Sequence, residues 1–125
     1  MKRTFSETSH RIIGCAIEVH KLLGPGLLES AYQKCLAHEL SLNSINFQTE
    51  VQLPIEYKGV KLDCGYRMDI VVENSIVLEL KSVSSLIPIH EAQILSYMKL
   101  ANYKQGFLIN FNVQMLKQGL KSFVL

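Results

Sequence analysis

Most of the stretch YRMDIVVENSIVLELKSV, from Tyr66 to Val83, reads as two apolar strands about a short turn. A three-residue loop at Glu73–Ser75 suits this turn, since Asn tolerates the left-handed backbone that such a loop needs. That loop pairs Val72 with Ile76, and the register of the rest of the hairpin follows from this pair.

The four charged side chains of the hairpin fall on one face in that register. Asp69 lies opposite Glu79, because opposed residues share a face and side chains alternate along each strand. One step further from the turn, Arg67 lies opposite Lys81. A two-residue loop would mix charged and apolar residues on both faces. The longer loop leaves the second face entirely apolar, with Met68, Ile70, Val72, Ile76, Leu78 and Leu80.

Two interpretations of the charged face stay open on the residues alone. The first is a structural ion-pair network in which Arg67 and Lys81 neutralise the two carboxylates. The second is a metal site, because two carboxylates that converge across a strand pair suit a hard ion such as Mg²⁺ or Mn²⁺. In that case Lys81 lies beside the metal, where it would stabilise an anionic transition state or help to activate a water.

Hydrophobic periodicity and turn residues outline the rest of the chain. They predict an α/β domain with a central sheet, in the order α-α-β-β-β-α-β-β. The predicted helices are Glu7–Leu23, Leu27–Leu42 and Pro88–Ala101. The predicted strands are Phe47–Tyr57, Val60–Val72, Ser75–Ser82, Gln105–Phe111 and Leu120–Leu125.

Length and composition fit one compact domain, with 125 residues of which 48% are apolar and 19% charged. No run of about 18 apolar residues exists, so we expect no membrane span. Met1–Glu7 lacks the apolar core of a signal peptide, and we expect a cytoplasmic location. The three cysteines show no Cys-x-x-Cys spacing, which argues against a zinc ribbon, and each is predicted to be a small buried residue.

Charge is distributed unevenly along a chain whose net charge is +2. No acidic residue follows Glu91, whereas four lysines do: Lys99, Lys104, Lys117 and Lys121. A basic C-terminal third would suit the phosphates of a nucleic acid. A solvated surface that carries lysines explains the same pattern equally well.

Four motifs in order along the chain carry a family resemblance. GLLESAY at residues 26–32 has the pattern G-x-x-E-x-x-Y, and Asp69 followed by E-x-K at residues 79–81 resembles the PD-(D/E)XK nuclease signature. HEAQILSY at residues 90–97 and GFLINFN at residues 106–112 complete the set. From about residue 8 to residue 124 the chain resembles the GxxExxY family, small bacterial and archaeal proteins assigned to the PD-(D/E)XK superfamily. The proline position of the signature is Met68 here.

The resemblance implies a restriction-endonuclease-like core, a central mixed sheet flanked by helices, and metal-dependent hydrolysis of phosphodiester bonds. Asp69 and Glu79 match the metal-binding acids of the superfamily. Leu80 would offer its backbone carbonyl to the metal, and Lys81 matches the lysine of the motif. Glu29 matches an additional acid of many members, although the helix dipole alone also favours an acid in that first turn.

The resemblance and the helical spacing also indicate supporting residues. Gln93 and Tyr97 resemble the Q-x-x-x-Y element of the exonuclease branch, which helps to place the substrate. With His90 they form one stripe of the third helix, which either borders a polar cleft or is a partly exposed face. Tyr32 either packs against the sheet or bonds a site carboxylate. Arg67 would contact a phosphate or hold a carboxylate.

The leading hypothesis is therefore a Mg²⁺- or Mn²⁺-dependent nuclease, with DNA as the favoured substrate. A non-catalytic module on the same fold, which binds nucleic acid or a protein partner, is the alternative. A small-molecule hydrolase that uses the same metal is a weaker third hypothesis. A chain of this length has little room for a separate DNA-reading module, so sequence specificity would come from a homodimer or a partner protein.

Overall fold

A computed structural model of the chain describes residues 6–125. Its helices are α1 Glu7–Leu23, α2 Glu29–Leu42 and α3 Pro88–Ala101. Its strands are β1 Phe47–Gln52, β2 Ile55–Tyr57, β3 Val60–Leu62, β4 Arg67–Val72, β5 Ile76–Lys81, β6 Gln105–Asn110 and β7 Leu120–Val124, with a 3₁₀ helix at Leu116–Gly119. Residues 1–5, most of the segment in which no signal peptide is predicted, lie outside the described residues.

Five strands form one mixed sheet in the order β1-β4-β5-β6-β7, and β2 pairs with β3 in a separate two-stranded sheet. Neighbouring strands of the large sheet are antiparallel except β5 and β6, which are parallel. A parallel pair needs a crossover connection, and α3 provides it. The predicted α/β class, with a central mixed sheet flanked by helices as in restriction-endonuclease-like cores, is confirmed.

Helices pack on both faces of this sheet. On one face α1 and α2 contribute Ile12 and Leu36 to an apolar cluster that contains Leu78 of β5. On the other face α3 contributes Ile94 to a cluster that contains Val77 of the same strand. The middle strand β5 is therefore covered on both sides, which explains its almost continuous apolar sequence.

Two predicted long strands are each broken in two. The predicted strand Phe47–Tyr57 breaks near Pro54, which has no N–H to give to a ladder. The predicted strand Val60–Val72 breaks near Gly65, which has a φ of 81° and donates its N–H to the Asp63 side chain. The short β2–β3 hairpin therefore separates from the main sheet at the end where β4 begins.

Met68 lies on the opposite face of the sheet from the predicted one. It packs in the α3 cluster, whereas Ile70 packs against α1 and α2. Between these two residues, Asp69 faces the point in β1 where Glu50 has a φ of 52°. Because a left-handed residue departs from the extended backbone, the regular alternation of the strands is lost there. The prediction of one strictly apolar face was wrong at this position.

The prediction of buried cysteines holds for one residue of three. Cys15 is buried, but Cys35 and Cys64 are exposed. Cys35 lies one position away from the buried stripe of α2, so it points to solvent, and Cys64 lies in the loop between β3 and β4. Among residues 6–125, none of the helices combines the length and the apolar character that crossing a bilayer requires.

Candidate functional site

The β4–β5 hairpin keeps a regular ladder only near its turn. Glu73 and Asn74 both have positive φ there, as the central residues of a type I′ turn do, and the Ser75 N–H donates to the Val72 carbonyl at 3.0 Å. The predicted register is confirmed for the pairs Val72–Ile76, Val71–Val77 and Ile70–Leu78. The ladder ends at the last of these pairs, so the strands beyond it are held in another way.

Beyond the pair Ile70–Leu78, at the end of the hairpin away from its turn (the open end), two carboxylates accept the hydrogen bonds that link the strands. The Asp69 N–H donates to Glu79 Oε2 at 2.9 Å, and the Leu80 N–H donates to Asp69 Oδ2 at 2.8 Å. These two hydrogen bonds link β4 to β5 beyond the last backbone pair of the ladder. The two predicted acids are brought together across the strands by these bonds.

Burial gives this pair of acids a raised affinity for protons. Glu79 is 3% exposed, and burial, followed by the charge of Asp69, raises its pKa to about 8. Burial is also the main cause that raises the pKa of Asp69 to about 6, and the charges of Glu50 and Glu29 act in the same direction. Lys81 opposes both shifts. The two carboxyl groups therefore titrate as a coupled pair that holds protons to a higher pH than free carboxyl groups do.

Lys81 is held beside the pair by side chains of α3. Its Nζ donates to Gln93 Oε1 at 2.9 Å, and Gln93 Nε2 donates to the Tyr97 hydroxyl at 3.2 Å. Tyr97 is buried, and burial, followed by the charge of Glu79, raises the pKa of its hydroxyl. The structure thus connects the predicted lysine with the predicted Q-x-x-x-Y residues.

Glu29 reaches the same region from α2. It is the first residue of that helix, and its Oε2 accepts the Ser82 N–H at 3.3 Å. Ser82 Oγ also donates to the Leu27 carbonyl at 2.6 Å, which ties the start of α2 to the end of β5. The charge of Glu29 raises the pKa of both Asp69 and Glu79, so it lies within electrostatic reach of the pair.

Arg67 lies outside this cluster. Its Nη1 donates to the Tyr66 carbonyl at 2.9 Å and lies 3.8 Å from Asp63 Oδ1 on an exposed loop. The β4–β5 ladder ends before Arg67, so its predicted pairing across the hairpin was wrong. Within residues 6–125 neither Asp69 nor Glu79 takes part in a salt bridge, which argues against the structural ion-pair network.

Tyr32 packs instead of bonding a site carboxylate. Its hydroxyl donates to the Gly24 carbonyl at 2.6 Å and accepts the Leu27 N–H at 3.2 Å. Its ring stacks on Phe111 with centroids 4.5 Å apart. Tyr32 therefore fixes the loop that leads into α2, and it acts on Glu29 only through that loop.

His90 lines a cavity of about 380 Å³ beside Lys81. Its Nδ1 accepts the Ile87 N–H at 3.1 Å, at the start of α3. Gln93 lines the same cavity. The stripe of polar residues along α3 thus borders a cleft, although His90 and Gln93 also remain partly exposed.

The sequence analysis missed one acid near the pair. Glu50 is exposed on β1, and its charge contributes to the raised pKa of Asp69. A solvent-facing acid in an alternating strand carries no signal of its own. Only the left-handed backbone at this residue, which follows from the folded sheet, distinguishes it.

A buried asparagine at the end of β6 holds the segment that follows Lys81. Asn110 is 1% exposed, and its side chain accepts the Val83 N–H at 3.0 Å and donates to the Val83 carbonyl at 2.9 Å. A Cβ at Gly119 would overlap the Asn110 carbonyl, so the glycine permits this close packing. A polar residue at the end of the apolar strand β6 was the available signal.

The chemistry of the acid pair fits a hard divalent ion. Within residues 6–125, no three His, Cys, Asp or Glu side chains are arranged as a metal cage, so side-chain coordination centres on Asp69 and Glu79. One oxygen of each accepts a backbone N–H, and the other accepts no hydrogen bond from the described residues. The Leu80 carbonyl points to the same side of β5 as its N–H, towards Asp69. These oxygen donors, with two carboxylates in mutual repulsion, suit Mg²⁺ or Mn²⁺.

Comparison with protein families finds one match that spans most of the chain. A family model described as the PD-(D/E)XK nuclease superfamily matches residues 6–123. No curated protein matches the chain, and no solved structure matches it. The matched range contains every residue of the site described above.

Proposed function

The chain belongs to the PD-(D/E)XK nuclease superfamily, and from this premise we propose that it is a divalent-metal-dependent nuclease that hydrolyses phosphodiester bonds, with DNA as the favoured substrate. Within the superfamily we assign it to the GxxExxY family, on the motifs at residues 26–32 and 79–81. The observation that carries the proposal is the pair Asp69 and Glu79, bound across the open end of the hairpin with Lys81 beside it.

Asp69, Glu79 and the Leu80 carbonyl would hold Mg²⁺ or Mn²⁺. Of the two modes predicted for Glu29, direct or through water, the water-mediated one agrees with this arrangement. When bound, such an ion polarises the scissile phosphate and lowers the pKa of an attacking water. Because burial raises the pKa of both acids, binding of the ion competes with protons for the pair, and both carboxylates must be deprotonated to serve as ligands.

Lys81 would orient the attacking water or offset charge on the phosphate. Its ammonium is positioned by Gln93, whose amide is in turn held by the Tyr97 hydroxyl. This arrangement fixes a flexible side chain before the substrate arrives, which is the condition for electrostatic stabilisation of a transition state. Arg67, exposed at the start of β4, would contact a phosphate further along the strand.

The proposal also covers domain organisation, location and contacts with nucleic acid. The chain would act as one nuclease-like domain in the cytoplasm. The exposed lysines that follow Glu91 would contribute affinity for the phosphate backbone that does not depend on sequence. A homodimer or a partner protein would supply any sequence specificity.

The test is cleavage of single- and double-stranded DNA and of RNA in the presence of Mn²⁺. Lys81→Ala should lower the rate by roughly 10²–10³-fold, the usual effect of removing one group that stabilises transition-state charge. Lys34→Ala, which removes an exposed lysine from the middle of α2, is the matched control and should cut like the wild type.

Two results would contradict the proposal in different ways. Cleavage that survives both Lys81→Ala and EDTA would show that another site is responsible. No cleavage of any substrate, together with no binding of Mn²⁺, would favour the non-catalytic binding module.

A further inference from the structure

The cavity beside Lys81 has features that the metal chemistry does not use. Its volume of about 380 Å³ falls within the roughly 300–1,000 Å³ typical of pockets for small organic groups. It opens between the start of β4 and the first turns of α3. Its lining residues are Tyr66, Lys81, Ile89, His90, Ala92, Gln93 and Ser96.

Tyr66 provides a flat aromatic surface in this cavity. Its ring meets that of Tyr97 at 63°, with centroids 6.0 Å apart, so Tyr97 contacts it edge to face. Tyr66 nevertheless remains 44% exposed, and Ile89 in the same lining is 66% exposed. Two exposed apolar side chains thus line one cavity beside a polar centre, and a ligand with a flat apolar face could cover them.

Hydrogen-bonding groups accompany this apolar surface. His90 Nδ1 accepts the Ile87 N–H, so in the neutral ring the proton is on Nε2, which remains a donor. The Ser96 hydroxyl forms no hydrogen bond with the described residues, whereas both ends of the Gln93 amide are occupied by Lys81 and Tyr97. The cavity thus combines one cation, a flat apolar surface and two polar groups that have capacity for a ligand.

We propose that this cavity binds an unpaired base of single-stranded DNA, whose phosphate lies at Lys81. The inference rests on the nuclease function proposed above and adds the class of substrate. A nucleotide has the matching chemistry, an anionic phosphate joined to a flat ring with polar edges. In a duplex both faces of a base are covered by its neighbours, so a base can reach Tyr66 only if it is unstacked. The substrate is therefore a single strand or the frayed end of a duplex.

The test measures binding in EDTA, so that no cutting occurs. Fluorescence anisotropy compares a labelled single-stranded DNA oligonucleotide with a closed hairpin duplex. Tyr66→Ala should weaken binding of the single strand by roughly 5- to 150-fold, the effect of losing one base–aromatic stack, and leave duplex binding unchanged. Tyr66→Phe keeps the ring and should bind like the wild type.

Two further variants provide a matched control and an independent test of the cavity. Tyr57→Ala removes a tyrosine that is 61% exposed on the β2–β3 hairpin and is the matched control, with no expected effect on strand preference. Ala92→Leu fills the cavity from an exposed position of α3 with a residue that favours helix, and it should weaken single-strand binding even if Tyr66→Ala fails to fold.

The outcomes separate this inference from the nuclease proposal. If Tyr66→Ala and Ala92→Leu bind the single strand as tightly as the wild type, or lose single strand and duplex equally, the inference is overturned. If either of these results is found while cutting still depends on Lys81, only the inference fails and the nuclease proposal stands. Strand-selective binding that depends on Tyr66, in a protein that never cuts, would support the cavity and overturn the nuclease.

Discussion

The closed and open ends of the β4–β5 hairpin are built from the same two strands but are held together differently. Near the turn, backbone groups bond one another, and Ile70 and Leu78 are fully buried among apolar residues. At the open end, the ladder is replaced by hydrogen bonds from backbone N–H groups to the carboxylates of Asp69 and Glu79. One end therefore resembles an ordinary core, whereas the other keeps two repelling acids partly or fully buried.

The apolar end that stabilises the fold and the acidic end that carries the candidate chemistry are thus only about 10 Å apart, which is three residues at the usual rise of a strand. Burying an apolar residue stabilises the fold, whereas burying two carboxylates disfavours their charged forms. The open end is tolerated because the closed end and the helices on both faces hold the strands in place. Loss of apolar contacts at the closed end should therefore affect stability most, whereas metal and pH should act through the open end.

Leu78→Ala should destabilise the protein by about 2–5 kcal/mol, because it opens a cavity at the fully buried closed end. Urea denaturation monitored by circular dichroism measures the change in the free energy of unfolding. Leu28→Ala is the matched control, since Leu28 is 77% exposed and its loss should change stability by at most about 0.5 kcal/mol. Equal losses in the two variants would show that the closed end is not the stabilising region.

Mn²⁺ should stabilise the open end, because a cation relieves the repulsion between the two carboxylates. At pH 8 and 100 times its dissociation constant, it should add about 2.7 kcal/mol to the free energy of unfolding. At pH 5 the effect should be much smaller, since protons then occupy the pair. Asp69→Asn should lose the effect while Leu28→Ala keeps it. Full stabilisation of Asp69→Asn would place the metal elsewhere.

Stability without metal should fall as the pH rises, and the open end should be the cause. The pKa of Glu79 rises from 4.5 to about 8 on folding and that of Asp69 from 3.8 to about 6, so the folded state binds protons more tightly. Their contribution to stability is complete below about pH 4 and is lost as the pH rises through 8.

Melting temperatures between pH 5 and pH 8.5 in EDTA measure this loss. Glu79→Gln carries no titrating group at that position, so its melting temperature should vary less across the range and exceed that of the wild type at pH 8.5. Parallel curves for the two proteins would show that the acid pair does not govern the pH dependence.

Arg67→Gln should have the smallest effect on stability, close to the precision of a thermal melt. Its nearest acid is Asp63, at 3.8 Å, and exposed ion pairs contribute little. Thermal melts at low and high salt check this. The difference in melting temperature between Arg67→Gln and the wild type should shrink as salt rises. A large loss would mean that Arg67 balances the acid pair, as the sequence first suggested.

Local patterns predicted much of the fold. The bounds of α1 and α3 follow from hydrophobic spacing that ends at Gly24 and begins at Pro88. The hairpin register follows from the loop at Glu73–Ser75 and the clean separation of charged from apolar residues. Both signals are short-range, so they can be recognised in the sequence without knowing which elements pack on either face of the sheet.

Predictions that needed the local backbone or the packing of neighbours were wrong or were not made. Met68 changed face because the alternation fails at Asp69, opposite the left-handed Glu50. Cys35 was placed in the core, although one step around α2 exposes it. Periodicity assumes a regular strand, which fails at Met68, and at Cys35 it does not decide which edge of the helical stripe faces the sheet.

The sequence alone predicted that Asp69 and Glu79 meet across the hairpin, because the side-chain period of two and the loop length place them opposite each other. Only the tertiary structure decided what surrounds them. It brought Glu29 from α2 and Gln93 from α3 to the end of β5, and it placed Tyr66 on a cavity beside Lys81. These contacts join residues far apart in the chain, and they depend on how two helical layers pack on one sheet. No local pattern records that packing.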